Sequence, residues 1–219
     1  MTKQQILDAY AFRHACKAFD SDKKISDDDF ELILETGRLS PSSFGFEPWQ
    51  FLVIQNSVLR EKLLPLVCGQ QQVPTASHLL ITLSRRGDSL KPGSDYLTSF
   101  MQDVQKLPAE IVKMKGDFYA LFHRELFQLA DDERKIADWA AKQTYLPMAN
   151  MMTTAALLGI DSCPIEGFKQ QEVENFLAQE IDLDLTTFGV AHITAFGYRK
   201  AEPARAKTRR AAADVVQWY

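Results

Sequence analysis

From Tyr145 to Ile160 the chain reads Tyr-Leu-Pro-Met-Ala-Asn-Met-Met-Thr-Thr-Ala-Ala-Leu-Leu-Gly-Ile, and wound as a helix it leaves no wide polar face. A helix of that kind needs apolar partners on several sides, from either the core or a second subunit. Pro147, Asn150 and two threonines interrupt the stretch, and it falls short of the ~20 apolar residues that span a bilayer. The helix is expected to run from about Asp132 to Leu158, where Gly159 offers a natural C-terminal stop.

The other elements are those that can enclose such a helix. Residues 4–15 carry Ile6, Leu7, Tyr10 and Ala11 at helical spacing. Ser26 followed by three aspartates is a capping signal for a helix over 26–38. Further helices are expected near 57–67, 95–105, 108–123 and 169–178. Strands are expected at 49–54, 79–83 and 188–198, where β-branched and aromatic residues concentrate. The 219 residues are 46% hydrophobic and 25% charged, enough for one α+β domain over residues 1–219.

Charge and cysteine usage exclude several functions. A net charge of −4 gives no global attraction to nucleic acid or to anionic lipid, so neither is expected as a partner. Cys16, Cys68 and Cys163 are too few and too scattered for a disulfide framework or a zinc site, which suits a reducing cytoplasm. The first twenty residues carry charges through what would have to be the apolar part of an export signal. His14, His78, His123 and His192 lack metal-ligand spacing, and no metal is expected. His78 and His192 read as hydrogen-bonded structural residues. A dinucleotide-binding glycine motif, a phosphate-binding loop and a nucleophile elbow are all missing.

Four short clusters can carry chemistry. Arg13-His14-Ala15-Cys16-Lys17 gathers cations where the first helix should end, although a helix C-terminus attracts positive charge in any case. Ser40-Pro41-Ser42-Ser43-Phe44-Gly45-Phe46-Glu47-Pro48 is a small-polar loop entering a strand; its hydroxyls and amides can hold a polar ligand or simply form a turn. Cys163-Pro164-Ile165-Glu166-Gly167-Phe168 is expected to be a loop in which Gly167 lets the backbone approach a flat ligand. Arg205-Ala206-Lys207-Thr208-Arg209-Arg210 can grip a phosphate or form a solvated basic face.

Taken in order, these stretches resemble the nitroreductase family of flavoenzymes, in particular the bacterial oxygen-insensitive nitroreductases and flavin reductases. The resemblance spans essentially the whole chain: RHACKAF at 13–19, SPSSFGFEPWQFLV at 40–53, ASHLL at 76–80, FHR at 122–124, AKQTYLPMAN at 141–150, LGIDSCPIEGF at 158–168 and KTRR at 207–210. It implies a mostly antiparallel central sheet flanked by helices, in an interlocked homodimer with FMN as cofactor. It also implies NAD(P)H as co-substrate and a small-molecule electron acceptor, reduced by ping-pong hydride transfer through flavin N5.

By the same resemblance Arg13, Lys207 and Arg209 hold the FMN phosphate, with His14 and Ala15 beside them. Lys17 lies near the pyrimidine edge, where a cation favours reduced flavin. The backbone of Pro164, Ile165, Glu166 and Gly167 approaches N5. Pro41, Ser42 and Ser43 reach the flavin of the other subunit, and Phe44 and Tyr119 line the substrate side, although Tyr119 also suits a core. No residue is assigned as a catalytic acid or base, since solvent can supply protons.

Two departures bear on chemistry. Gln70 and Gln72 lie in a stretch where some relatives supply an asparagine and a lysine to the flavin; they remain cofactor contacts, but neutral amides stabilise reduced flavin less than a lysine. Glu47 stands where many relatives have glutamine. The acceptor therefore stays open among nitroaromatics, quinones, enones, free flavin and a dehalogenase substrate. A flavin-binding protein without turnover is the alternative from another class.

Overall fold

The computed structural model describes residues 2–130 and 132–219. Helix α1 spans Lys3–Phe12 and α2 Asp27–Arg38, the latter capped as its sequence predicts, with Ser26 Oγ accepting from the Asp29 amide. Strand β1, Trp49–Val53, leads to α3, Ser57–Leu63, and through a 3-10 turn to the short α4, Gln72–Thr75. Strand β2 covers His78–Arg85. Helix α5, Asp95–Ser99, runs on into a π turn, and α6, Ala109–Leu121, ends in another. The long helix α7 is Glu133–Leu157, with Asp132 as N-cap and Gly159 at φ 73° beyond its end. Strand β3, Asp161–Ile165, helix α8, Gln170–Ile181, and strand β4, Phe188–Gly197, complete the order.

The sheet order is β1-β2-β4-β3 with every neighbouring pair antiparallel. A bulge interrupts the β2–β4 register between Thr82 and Leu83, opposite His192 and Val190. Sequence reading places 163–168 in a loop, whereas 161–165 forms β3. A run of five with a proline in it gives little strand signal, and the proline is tolerated because β3 is an edge strand, where a missing N–H costs no ladder bond. The first helix also stops earlier than expected. Arg13 turns extended at φ −61°, ψ 124°, and Ala15 then forms a parallel bridge with Ser162 beside β3.

The two-residue period of β2 divides the interior. Leu79, Ile81 and Leu83 join Ile193, Ala195, Cys163 and Ile165 under α3 and α8. Leu80 and Phe196 point the other way, into a second cluster with Phe30 and Ile33 of α2 and Met148, Met151 and Met152 of α7. A third cluster, around Phe46, Tyr119, Phe122, Ile136 and Trp139, fills the space between α6 and the first half of α7. The long helix thus packs its first half on the third cluster and its second half on the second, and leaves Leu146 and Leu157 exposed. No helix among the described residues is long and apolar enough to cross a membrane.

Candidate active site

Two groups of the expected site residues gather separately. The first forms at the end of α1. Because the helix stops at Phe12, its last carbonyls need donors, and its last turn contains no basic residue. The C-terminal tail provides them: Lys207 Nζ donates to the Tyr10 carbonyl, and Arg199 Nη2 to that of Phe12 at 3.3 Å. Lys207 thereby stands close enough to Arg13 and Arg209 for their charges to lower its pKa, after the larger effect of burial. Among the described residues none of these three cations is paired with a carboxylate. Like charges left together without an anion are unfavourable, which makes this a place where a phosphate would be stabilised by all three.

Next to it, Lys17 Nζ reaches the Cys163 Sγ at 3.7 Å, and the Gln72 amide reaches the same sulfur at 3.6 Å. Burial pushes the Cys163 thiol up, against the pull of Lys17, so the sulfur is a neutral acceptor here. The chain of contacts continues from Gln72 Nε2 to Gln70 Oε1 at 3.0 Å, and from Gln70 Nε2 to the Gly167 carbonyl at 2.8 Å. The two glutamines, expected as direct cofactor contacts, thus join the Glu166-Gly167 backbone to the Lys17 side. A Cβ on Gly167 would stand 3.3 Å from the Gln70 amide, which would have to yield by a few tenths of an ångström. Pro164 and Ile165 lie on β3, and Ala15 is exposed beside it.

The Glu166 carboxylate accepts a hydrogen bond from the Tyr145 hydroxyl of α7. Burial, helped by that carboxylate, raises the tyrosine to about 12. Sequence reading missed this pair, since an i,i+21 contact leaves no local pattern.

The second group is the loop after α2. The Ser43 amide donates to Gln143 Oε1 at 2.9 Å, and Ser42 Oγ accepts from the Glu47 amide at 2.9 Å. Phe44 sits at φ 59°, a left-handed position that an aromatic residue occupies only when its surroundings hold it. Lys115 and Gln105 provide the hold, both donating to the Phe44 carbonyl, at 2.7 and 3.1 Å. The Phe44 ring stacks on Phe46 with centroids 5.5 Å apart, and Pro41 is exposed. Tyr119 is enclosed at 1% exposure, its hydroxyl donating to the Leu90 carbonyl at 2.7 Å; within the single chain it serves as a core aromatic. Among the described residues no hydrogen bond, ion pair or ring stack joins residues 41–44 to the first group.

Comparison with known proteins agrees with this architecture. The profile described as "Nitroreductase family" matches residues 10–198. YfkO of Bacillus subtilis, named as a candidate NAD(P)H nitroreductase, is 48% identical over 217 residues, 99% of this chain and 98% of that protein. Among solved structures, the candidate nitroreductase ydfN of Bacillus subtilis superposes with a TM-score of 0.79 at 20% identity, covering 100% of both chains. A candidate nitroreductase from Exiguobacterium sibiricum, crystallised in complex with FMN, gives 0.76 at 20% identity, covering 100% of this chain and 99% of that one. With the fold, the ordered sequence stretches and a profile match over most of its length in agreement, this chain belongs to the nitroreductase family.

Proposed function

We propose that the chain is an FMN-dependent NAD(P)H oxidoreductase that reduces small acceptors such as nitroaromatics or quinones, and that it works as a homodimer. The observation that carries the cofactor is the group of three cations without a carboxylate, Arg13, Lys207 and Arg209. It suits a phosphate monoester at one end of a ligand whose flat part lies along Lys17, Gly167 and the β3 edge. The FMN bound to the Exiguobacterium sibiricum neighbour and the NAD(P)H nitroreductase name of the Bacillus subtilis relative support the same choice.

Bound there, FMN supplies hydride chemistry between a reduced nicotinamide and the acceptor. The chain contributes binding and orientation. Arg13, Lys207 and Arg209 neutralise the phosphate. Lys17 places positive charge where reduction builds negative charge, and its neighbour Cys163 carries no competing negative charge. The Gln72–Gln70–Gly167 contacts fix the peptide expected to face the reacting edge. Proton delivery is left to solvent.

What one chain leaves open supports the dimer. Ile6, Leu7 and Tyr10 of α1 and Leu146 and Leu157 of α7 are exposed, as are Val215, Val216, Trp218 and Tyr219 of the tail. Covering them with a second copy removes a large apolar area from water. In such a dimer Pro41, Ser42 and Ser43 of one subunit would reach the flavin held by the other; among the described residues no hydrogen bond or ion pair joins them to the first group within one chain.

Anaerobic titration of the FMN-loaded protein with NADH and then NADPH tests this reading, with a light-scattering mass taken on the same sample. The expected result is bleaching of the oxidised-flavin band by one donor, its return on adding a quinone or nitroaromatic, and the mass of two chains. Tight FMN binding without bleaching would instead favour a non-catalytic flavin protein or a reductase with another donor. Failure to bind FMN, or full turnover by a single chain, would refute the corresponding part.

A further inference from the structure

We propose that Asp161 is a positioning residue for phosphate recognition: through Arg199 it holds the C-terminal tail against the end of α1, so that Lys207 and Arg209 converge with Arg13. This rests on the FMN reading above and adds residues that the sequence did not single out.

Asp161 opens β3 and is 3% exposed. A carboxylate that deep must be compensated, and Arg199 does so almost alone. Its Nη2 lies 2.8 Å from Oδ1, its Nε 3.0 Å from Oδ2, and its backbone amide 3.0 Å from Oδ2. The guanidinium then reaches outward in two directions. Nη2 donates to the Phe12 carbonyl at 3.3 Å with the charge 4.3 Å from the Phe12 ring centre, and Nη1 binds Glu202 at 2.9 Å. One buried carboxylate therefore fixes the last residue of α1 and the first stretch of the tail to each other. Arg13 is the residue after Phe12, and Lys207 lies further along the tail, anchored on Tyr10 one turn back in α1.

His14 completes the node. Its Nδ1 stands 3.5 Å from Asp161 Oδ1 and has no hydrogen-bond partner among the described residues. A metal is a poor alternative for His14, Cys16 and Asp161, although their ligand atoms lie within 4.8 Å of one another. Asp161 is already occupied by Arg199, and the Cys16 thiol turns to the Ala18 carbonyl, with burial pushing it up to about 11.

A plain structural ion pair would stabilise the fold and leave ligand preference untouched. A positioning role predicts a selective defect, because riboflavin shares the flavin ring with FMN and lacks the phosphate. The test is to prepare Asp161→Asn and Arg199→Lys in the full chain, remove flavin, and measure FMN and riboflavin affinities by fluorescence quenching. The wild-type protein is expected to prefer FMN. In both variants FMN affinity is expected to fall about tenfold or more while riboflavin affinity stays within about twofold, since only the charge-assisted phosphate contacts are displaced. Arg199→Lys keeps the charge and loses the fork, so it serves if Asp161→Asn does not fold. A wild-type preference that survives unchanged in the folded variants overturns the positioning role alone. A wild-type protein without preference overturns the phosphate cradle and this proposal together.

Discussion

Replacing Lys207 and Arg209 together with alanine is expected to yield a folded protein that no longer retains flavin. Charge-assisted hydrogen bonds to a phosphate contribute about 1.5–3 kcal/mol each. Two of them correspond to roughly a hundredfold loss at the lower end of that range, at about 1.4 kcal/mol per decade. The lower end applies because residues 201–219 are exposed, Lys207 being only slightly desolvated where it meets α1, so solvent and salt screen these charges. Exposure also predicts that the fold survives, since the tail beyond Arg199 contributes nothing to the three apolar clusters. Removing two of three mutually repelling cations relieves strain in the flavin-free protein. The measurement is flavin content after purification by absorbance, alongside the melting temperature of the flavin-free form. Wild-type flavin content in the double variant would remove the phosphate assignment, whereas a collapsed melting temperature would show the tail to be structural.

That experiment addresses the part of the site the sequence reached only through ordered resemblance. Arg13 and Arg209 lie at opposite ends of the chain, and no periodicity brings distant cations together; the stopping point of α1 does so, by leaving carbonyls that Lys207 and Arg199 cap. Where local chemistry decides, the sequence was a good guide. Ser26 and Asp132 cap the helices their positions predict, and the apolar stretch after Tyr145 lies in α7 as expected. Strand β3 was missed because its pairing partner is β4, a long-range choice, and because Pro164 speaks against a strand unless the edge is known. Asp161 and Arg199 were missed for a related reason: an aspartate after Gly159-Ile160 reads as turn chemistry, and only burial reveals a charged node. Gln70 and Gln72 were singled out as donors to a flavin. What the sequence could not show is that one Gln70 hydrogen bond already goes to the Gly167 carbonyl.

His192 provides the second large effect, on stability rather than binding. It sits on β4 with no exposure, its Nε2 3.3 Å from the Thr144 carbonyl of α7 and its ring 5.2 Å from that of Tyr145. Among the described residues its Nδ1 has no partner. Burial lowers its pKa to about 4, and neither the Thr144 carbonyl nor the nearby Glu166 charge, both of which favour the cation, reverses that. In the unfolded chain the imidazole titrates near its ordinary value of about 6.5. The folded pKa is the lower one, so acidification from about 6.5 to 4 adds a proton to the unfolded chain that the folded protein refuses. The contribution is fully present above about pH 6.5 and is lost progressively towards pH 4, amounting to about 3 kcal/mol in all. For a chain of this size that corresponds to a fall of roughly 6–12 °C in melting temperature from this residue. His192→Phe removes the titration while keeping an aromatic ring between the sheet and α7. Its melting temperature is therefore expected to decline less steeply than that of the wild type between pH 7 and 4, whatever its offset at pH 7. Parallel curves for the two proteins would mean that His192 accepts its proton in the folded state, and that the pocket beneath α7 is wetter than its burial implies.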